Sequence, residues 1–114
     1  MIKKSGEFRE ERRNIAGGNG EIILRHKFER EDMFGKSRLC AELVVEPGCS
    51  IGEHAHVEDM EIFYMLEGTL VSVAKDGSET PFSKGDCMLT GGGDFHSLRN
   101  DSGKTAVMLA VIAL

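Results

Sequence analysis

This sequence predicts an all-β sandwich or barrel, and three observations support that fold class. Short runs of alternating apolar and polar residues recur along the chain, and turn-forming residues separate them. Glycine accounts for 14 of the 114 residues, which favours tight turns over long helices. No run has the sustained 3.6-residue period of a long amphipathic helix. A chain of this length forms one domain with one hydrophobic core.

The chain is predicted to begin with an N-terminal arm over residues 1–20. Residues 5–14 are dense in charge, which is compatible with a frayed helix or an ordered arm, and we expect a solvated segment there. The sequence AGGNG at residues 16–20 interrupts the pattern before the barrel, which we assign to residues 21–114.

The barrel strands follow in order, and turn signals divide them. We predict seven to nine short strands, with the clearest runs at 21–29, 38–46, 61–66, 69–75, 85–90, 95–100 and 105–113. Pro47-Gly48 marks a turn after the second run, and Glu67-Gly68 is predicted to be a hairpin turn. Asp76-Gly77 is the strongest short hairpin signal in the chain.

Several strands are apolar on both faces, which a single barrel does not explain. The run Ile62–Leu66 and the run Ala106–Leu114 contain almost no polar residue. A barrel buries one face of each strand, so the other face needs a second layer. Self-association supplies that layer economically, and we therefore expect a homodimer.

Charge and cysteine content exclude some classes of partner. The formal net charge is −5, which argues against general nucleic-acid binding and against anionic membrane surfaces. No signal-peptide core follows the first lysines, and the longest apolar run is too short to span a bilayer as a helix. The odd number of cysteines, Cys40, Cys49 and Cys87, favours reduced thiols and a cytoplasmic protein.

Three histidines and one glutamate have the spacing of a metal site. His54 and His56 alternate, so a strand would present both imidazoles on one face. Glu61 follows after a gap long enough for the chain to return on a neighbouring strand, and His96 lies on a separate strand-like run. A set of three imidazoles and one carboxylate suits Mn, Fe, Co, Ni, Cu or Zn rather than Ca or Mg.

The same residues resemble the two sequence motifs of the cupin superfamily. The first block, GCSIGEHAHVEDMEIFYMLEG at residues 48–68, matches at Gly48, His54, His56, Glu61 and Gly68. The second block, GDCMLTGGGDFHSLRN at residues 85–100, matches at Gly85, Gly93, His96 and Asn100. It departs from the family at Gly91, where a proline is usual, and this change touches no ligand position. The short connection between the blocks is similar to that of small microbial cupins.

The resemblance implies a fold and a ligand set. The implied fold is the double-stranded β-helix, a jelly-roll barrel, as a single domain. The implied ligand set is His54, His56, Glu61 and His96 around one divalent transition metal, and catalytic residues beyond these are left unassigned. By strand parity with Glu61 and His96, the pocket beside the metal would be lined by three apolar side chains: Phe63, Met65 and Leu98.

Other polar residues have weaker functional interpretations. Four carboxylates near the motifs are candidate acid–base groups: Glu53, Glu58, Asp59 and Asp94. His26 lies on an apolar alternating face without a motif position, so we predict a hydrogen-bonded core or interface histidine. Cys49 and Cys87 lie off the ligand positions, and we expect them to pack as small apolar residues.

These features leave three hypotheses for function. The first is a metalloenzyme that acts on a small polar or acidic metabolite, for which the cupin resemblance implies the dioxygenase, oxalate-type decarboxylase or sugar isomerase class. The second is a module that binds or senses a small molecule through its metal without turnover. The third is a metal-free structural barrel, against which the intact ligand set argues. Fold and metal do not choose among these classes.

Overall fold

The computed structural model describes residues 1–114 as two antiparallel sheets. The strands are β1 Arg9–Arg13, β2 Ile22–Phe28, β3 Ser37–Val45, β4 Ser50–His56, β5 Met60–Glu67, β6 Thr69–Val73, β7 Glu79–Ser83, β8 Cys87–Gly91, β9 Asp94–Arg99 and β10 Ala106–Ala113. One 3-10 helix, Ser5–Glu7, precedes them. None of the helical structure is long and apolar enough to cross a membrane.

The two sheets form the layers of the barrel. The first sheet has the strand order β1-β2-β3-β10-β5-β8, and the second has the order β4-β9-β6-β7. Buried apolar side chains from both sheets form one core cluster of 16 residues, among them Leu24, Leu43, Leu98 and Met108. This architecture confirms the predicted all-β fold and the jelly-roll barrel that the motif resemblance implied.

Strand alternation decides which side chains reach the interior. Along β5, Glu61, Phe63 and Met65 are buried, and the residues between them are exposed. Strand β10 alternates in the same way between buried and half-buried positions. The period of two therefore directs a carboxylate into the barrel beside apolar neighbours.

One predicted hairpin is confirmed and the other is wrong. Strands β6 and β7 pair in antiparallel fashion around Asp76-Gly77, where Gly77 has a φ of 85°. Strands β5 and β6, on either side of Glu67-Gly68, belong to different sheets, so this turn is a corner between sheets. Gly68 has a φ of 81°, and a Cβ there would lie 2.9 Å from the carbonyl oxygen of Thr105, so the corner needs glycine.

The charged N-terminal segment is more ordered than predicted. Residues 9–13 form β1, an edge strand that pairs with β2 over its whole length, instead of a solvated arm. Charged side chains are common on edge strands, where they discourage pairing with other molecules, and the sequence pattern does not distinguish such a strand from a solvated segment. The domain boundary at residue 20 stays a prediction.

Candidate metal centre

The four predicted ligands come from both sheets. His54 and His56 lie on β4, and His96 lies on β9 directly opposite His54 in the strand register. Glu61 lies on β5 in the facing sheet rather than on a strand that neighbours β4. The cluster therefore contains side chains from both sheets, and the distances within it depend on how the two sheets pack.

The four side chains converge on one point. Atom Nε2 of His56 lies 3.0 Å from Oε1 of Glu61, and Nε2 of His96 lies 3.2 Å from the same oxygen. Atom Nε2 of His54 lies 2.7 Å from Nε2 of His96 and 3.9 Å from Oε1 of Glu61. One ligand atom from each residue lies within 4.8 Å of all the others.

Each imidazole is oriented by a hydrogen-bond partner at Nδ1, the ring nitrogen that points away from the cluster. Nδ1–H of His54 donates to the carbonyl oxygen of Gly52 at 2.8 Å. Nδ1–H of His56 donates to Oδ1 of Asp59 at 2.9 Å, and Nδ1 of His96 lies 2.9 Å from the hydroxyl of Thr90. A carbonyl and a carboxylate only accept hydrogen bonds, so neutral His54 and His56 carry their proton on Nδ1.

Nε2 of His56 is an orphaned atom in the middle of the cluster. Its side chain is 3% exposed, and this nitrogen has no hydrogen-bond partner. Because the ring proton is on Nδ1, Nε2 presents a lone pair to the carboxylate of Glu61. Two electron-rich atoms at this distance repel each other unless a cation lies between them.

Burial and charge shift the pKa values of the cluster in opposite directions. Glu61 raises the pKa of His54, whereas burial lowers the pKa of His96. Burial opposes ionisation of Glu61, yet the surrounding imidazoles hold its pKa below the ordinary value. For Asp59, hydrogen bonds from His56 and Arg38 outweigh desolvation and lower the pKa. The site thus presents two ionised carboxylates to its histidines.

The donor set fits a divalent transition metal. Nitrogen and oxygen ligands bonded at about 2.0–2.2 Å from one ion lie roughly 3–4 Å from one another. The three Nε2 atoms lie 3.0, 3.2 and 3.9 Å from Oε1 of Glu61, within this range, whereas Nε2 of His54 and Nε2 of His96 are closer together, at 2.7 Å. Imidazole and carboxylate together suit Mn, Fe, Co, Ni, Cu or Zn. The cluster could therefore hold one ion, and its chemistry leaves the identity of that ion open.

A cavity of about 250 Å³ lies beside the cluster, inside the barrel. His54, His56, Glu61 and Phe63 form part of its wall. Met65 and Leu98 share the expected inward direction, but they lie in the closed core and do not line the cavity. Phe63 also stacks on His96, with ring centroids 5.1 Å apart.

Several site residues were missed by sequence reasoning. Arg38, which binds Asp59 through two hydrogen bonds, and Arg13 both line the cavity. Ile15 lines the cavity from the segment between β1 and β2. No motif marks these positions, because their role depends on where the N-terminal segment packs. Thr90 lies within the second motif block. As a polar residue on a predicted strand, it could have been recognised from the sequence as a candidate partner for a buried ligand.

Most of the other candidate groups lie away from the cluster. Asp59 contacts His56, whereas the remaining three candidate carboxylates are exposed and do not line the cavity: Glu53, Glu58 and Asp94. His26 is buried, and its Nε2–H donates to Oε1 of Glu11 at 2.6 Å, which ties β2 to β1.

The three cysteines form no disulfide bond. Cys49 packs against the core as expected, whereas the expected packing of Cys87 is wrong, because Cys87 is exposed. Cys40 is half-buried. Burial raises the pKa of the Cys40 thiol, which makes this cysteine less reactive.

Comparison with known proteins agrees with this geometry. The sequence profile of the family described as "Cupin domain" matches residues 41–112. An oxalate-binding protein from Thermotoga maritima is 37% identical to this chain over 115 residues, which cover all of this chain and 94% of that protein.

Solved structures share the architecture over the whole chain. A predicted oxalate decarboxylase from Thermotoga maritima superposes with a TM-score of 0.92 at 36% identity, covering 100% of this chain and 99% of that one. A polyketide cyclase from Streptomyces resistomycificus gives a TM-score of 0.82 at 24% identity, with 99% and 80% covered. The ectoine synthase of P. lautus gives 0.78 at 17% identity, with 99% and 77% covered. The last two similarities concern the fold alone.

Proposed function

The chain belongs to the cupin family, and from that premise we propose that it uses one divalent transition-metal ion to bind a small carboxylate-containing molecule. The ligands of the ion are His54, His56, Glu61 and His96. The observation that carries this proposal is the convergence of three Nε2 atoms on one carboxylate oxygen, with one of them buried and unpartnered. A bound ion would act as a Lewis acid on an oxygen of the small molecule.

The small molecule is proposed to be an acidic metabolite of the oxalate type. The 37% identical relative carries the name oxalate-binding protein, and this identity extends along the whole chain. The cavity beside the cluster has two arginines in its wall, Arg13 and Arg38. A guanidinium is the side chain best suited to hold a carboxylate.

Binding without turnover is the function that the cavity favours. Decarboxylation and isomerisation require a group that moves protons near the substrate. Apart from the proposed metal ligands, the ionisable groups in the cavity wall are Arg13 and Arg38, and arginine keeps its proton. Dioxygenase chemistry does not need such a group, so an oxygenase is the second candidate.

Metal content tests the proposal first. We expect tag-free protein to purify or reconstitute with close to one metal ion per chain, and the double variant His54→Ala/His96→Ala to hold none. His26→Gln is the matched control, because it alters a buried histidine outside the cluster and should retain the metal. If wild-type protein takes up no metal even after reconstitution, the proposal is wrong.

The two candidate functions separate in a second step. Metal-loaded protein is incubated with oxalate in air, and thermal stability and oxalate concentration are followed together. A bound ligand raises the melting temperature by mass action, whether or not it reacts. Stabilisation with constant oxalate indicates a binding protein, and consumption of oxalate indicates an enzyme. Iron in the purified protein would direct the next assays to oxygenase substrates.

We also propose that the chain forms a homodimer in the cytoplasm. The outer face of β5, β8 and β10 remains apolar and exposed, with Ile62 39%, Tyr64 41% and Leu89 66% exposed. Register pairing brings Ile62 beside both Leu89 and Val111, so these side chains form one continuous patch. A second copy of the chain would cover this patch, and the unpaired cysteines favour a reducing compartment.

A further inference from the structure

The wall of the cavity beside the cluster is largely apolar. Its polar residues are the three members of the cluster, Arg13 and Arg38. The rest of the wall is apolar and comes from five strands and from the segment after β1: Ile15, Ala16, Leu24, Leu39, Leu43, Ile51, Phe63 and Ile112. Six of these side chains are at least nine-tenths buried, so most of the wall belongs to the packed core.

Oxalate complements only the polar part of this cavity, which consists of the cluster and the two arginines. It consists of two carboxylates and offers no apolar surface to the leucine and isoleucine side chains. A charged group placed against hydrocarbon loses its hydration without gaining a partner, which is unfavourable. The apolar wall matches a ligand that carries hydrocarbon behind its carboxylate.

The size of the cavity leads to the same conclusion. A cavity of about 150 Å³ accommodates benzene, which has six non-hydrogen atoms. The volume of about 250 Å³ measured here therefore has room for a ligand larger than oxalate, which also has six. After a carboxylate is placed at the cluster, space remains for about six further carbons.

We propose that this cavity selects carboxylates with an apolar body of several carbons. This inference rests on the proposed metal-dependent carboxylate binding and adds the chemical class of the ligand. The charged head lies at the cluster, in a cavity whose wall also includes Arg38. The hydrocarbon body lies against the segment after β1 and the inner faces of β3 and β10, where Ile15, Leu39 and Ile112 provide the surface.

A series of 2-oxo acids with one head group tests the inference. Metal-loaded wild-type protein is titrated by calorimetry with pyruvate, 2-oxobutyrate, 2-oxopentanoate and 2-oxohexanoate, and with oxalate as reference. Because the head group is constant, affinity differences report the hydrocarbon contact. We expect the dissociation constant to fall by up to about fourfold for each added methylene.

The outcomes separate the inference from the proposed function. An affinity that stays flat or falls along the series, while oxalate binds, overturns the inference and leaves the proposed function intact. Failure of oxalate and of every 2-oxo acid to bind the metal-loaded protein contradicts the proposed function itself. Both results come from the wild-type protein, so neither depends on whether a variant folds.

A pair of variants then localises the contact. Ile15 is a half-buried wall residue on the segment between β1 and β2, so truncating it does not open the closed core. Ile15→Ser should weaken 2-oxohexanoate binding about fivefold or more and leave pyruvate binding unchanged. Ile2→Ser is the control, because Ile2 is 84% exposed and lies outside the cavity. Equal losses for both ligands in Ile15→Ser would contradict the proposed contact.

Discussion

Each histidine of the cluster is held by a partner of a different kind. Gly52 provides a backbone carbonyl for His54, Thr90 a hydroxyl for His96, and Asp59 an ionised carboxylate for His56. Asp59 is itself fixed by Nε–H and Nη2–H of Arg38, at 3.0 and 2.8 Å. Such partners set the ring orientation and raise the basicity of the nitrogen that faces the metal.

Removal of the carboxylate partner should weaken metal binding without removing a ligand. For Asp59→Ala we expect metal affinity to fall by about 10–100-fold, because His56 loses the group that fixes its ring and its proton. Competition with a chelator measures this change. Glu58→Ala is the matched control, since Glu58 is an exposed neighbour with no hydrogen bond to the cluster. An unchanged affinity in Asp59→Ala would show that His56 is oriented by packing alone.

At the scale of elements, the segment between β1 and β2 is fastened to the start of β4. The amide of Gly52 donates to the carbonyl of Ile15 at 3.0 Å, and the amide of Ser50 donates to the carbonyl of Asn19 at 2.9 Å. The side chain of Asn19 donates to the carbonyl of Gly48 at 2.6 Å. This contact holds the backbone of Gly52, whose carbonyl group accepts the hydrogen bond from His54.

Two glycines, Gly18 and Gly52, allow the segment between β1 and β2 to approach the backbone of β4 closely. A Cβ on Gly52 would collide with the carbonyl group of Ala16, and a Cβ on Gly18 would collide with the carbonyl group of Ser50. Both neighbours are backbone atoms, which do not move aside as the end of a flexible side chain does. Neither glycine has a positive φ, so close approach rather than backbone conformation explains its presence.

Gly52→Ala should therefore lower both stability and metal affinity. We expect the free energy of unfolding to fall by about 1–3 kcal/mol, as for other overpacked sites, with a measurable loss of metal affinity. Urea denaturation and chelator competition measure the two effects. Gly103→Ala is the control, since a Cβ there meets no atom within 4 Å and its φ is not positive. Equal stability of the two variants would contradict the close contact between segment and strand.

At the scale of the whole molecule, the outer face of the larger sheet lacks a covering layer. Inward side chains of β5 are buried, while Met60, Ile62 and Tyr64 on the same strand are 39–41% exposed. Apolar residues on neighbouring strands extend this surface in register. A continuous apolar patch on a single sheet face is typical of a surface that binds another molecule.

The proposed homodimer is expected to depend on this patch. Sedimentation equilibrium should give twice the chain mass of 12.5 kDa for the wild type. The double variant Ile62→Lys/Leu89→Lys should give a monomer, because each subunit would bury two unpaired charges at the interface, which is unfavourable. Val57→Lys changes a side chain that is 71% exposed outside this patch and should leave the dimer intact. A monomeric wild type at all concentrations would contradict the proposal.

Local pattern predicted much of this molecule. The alternation of Glu61, Phe63 and Met65 indicated that all three point inward, and the structure places them there. The Asp76-Gly77 hairpin could be predicted from the sequence, because two adjacent residues and their flanking strands determine its geometry. Glu67-Gly68 has similar local chemistry, but the sheet to which the next strand belongs depends on distant contacts.

Spacing along the chain was enough to predict the alternation of the strands, the family motifs and the four side chains that converge. That Glu61 faces the histidines from the opposite sheet, and that residues 9–13 form an edge strand, became apparent from the packed structure. The packed structure also showed that Arg13, Ile15 and Arg38 line the cavity. These features depend on packing between segments far apart in sequence, and packing leaves no periodic signal in the chain.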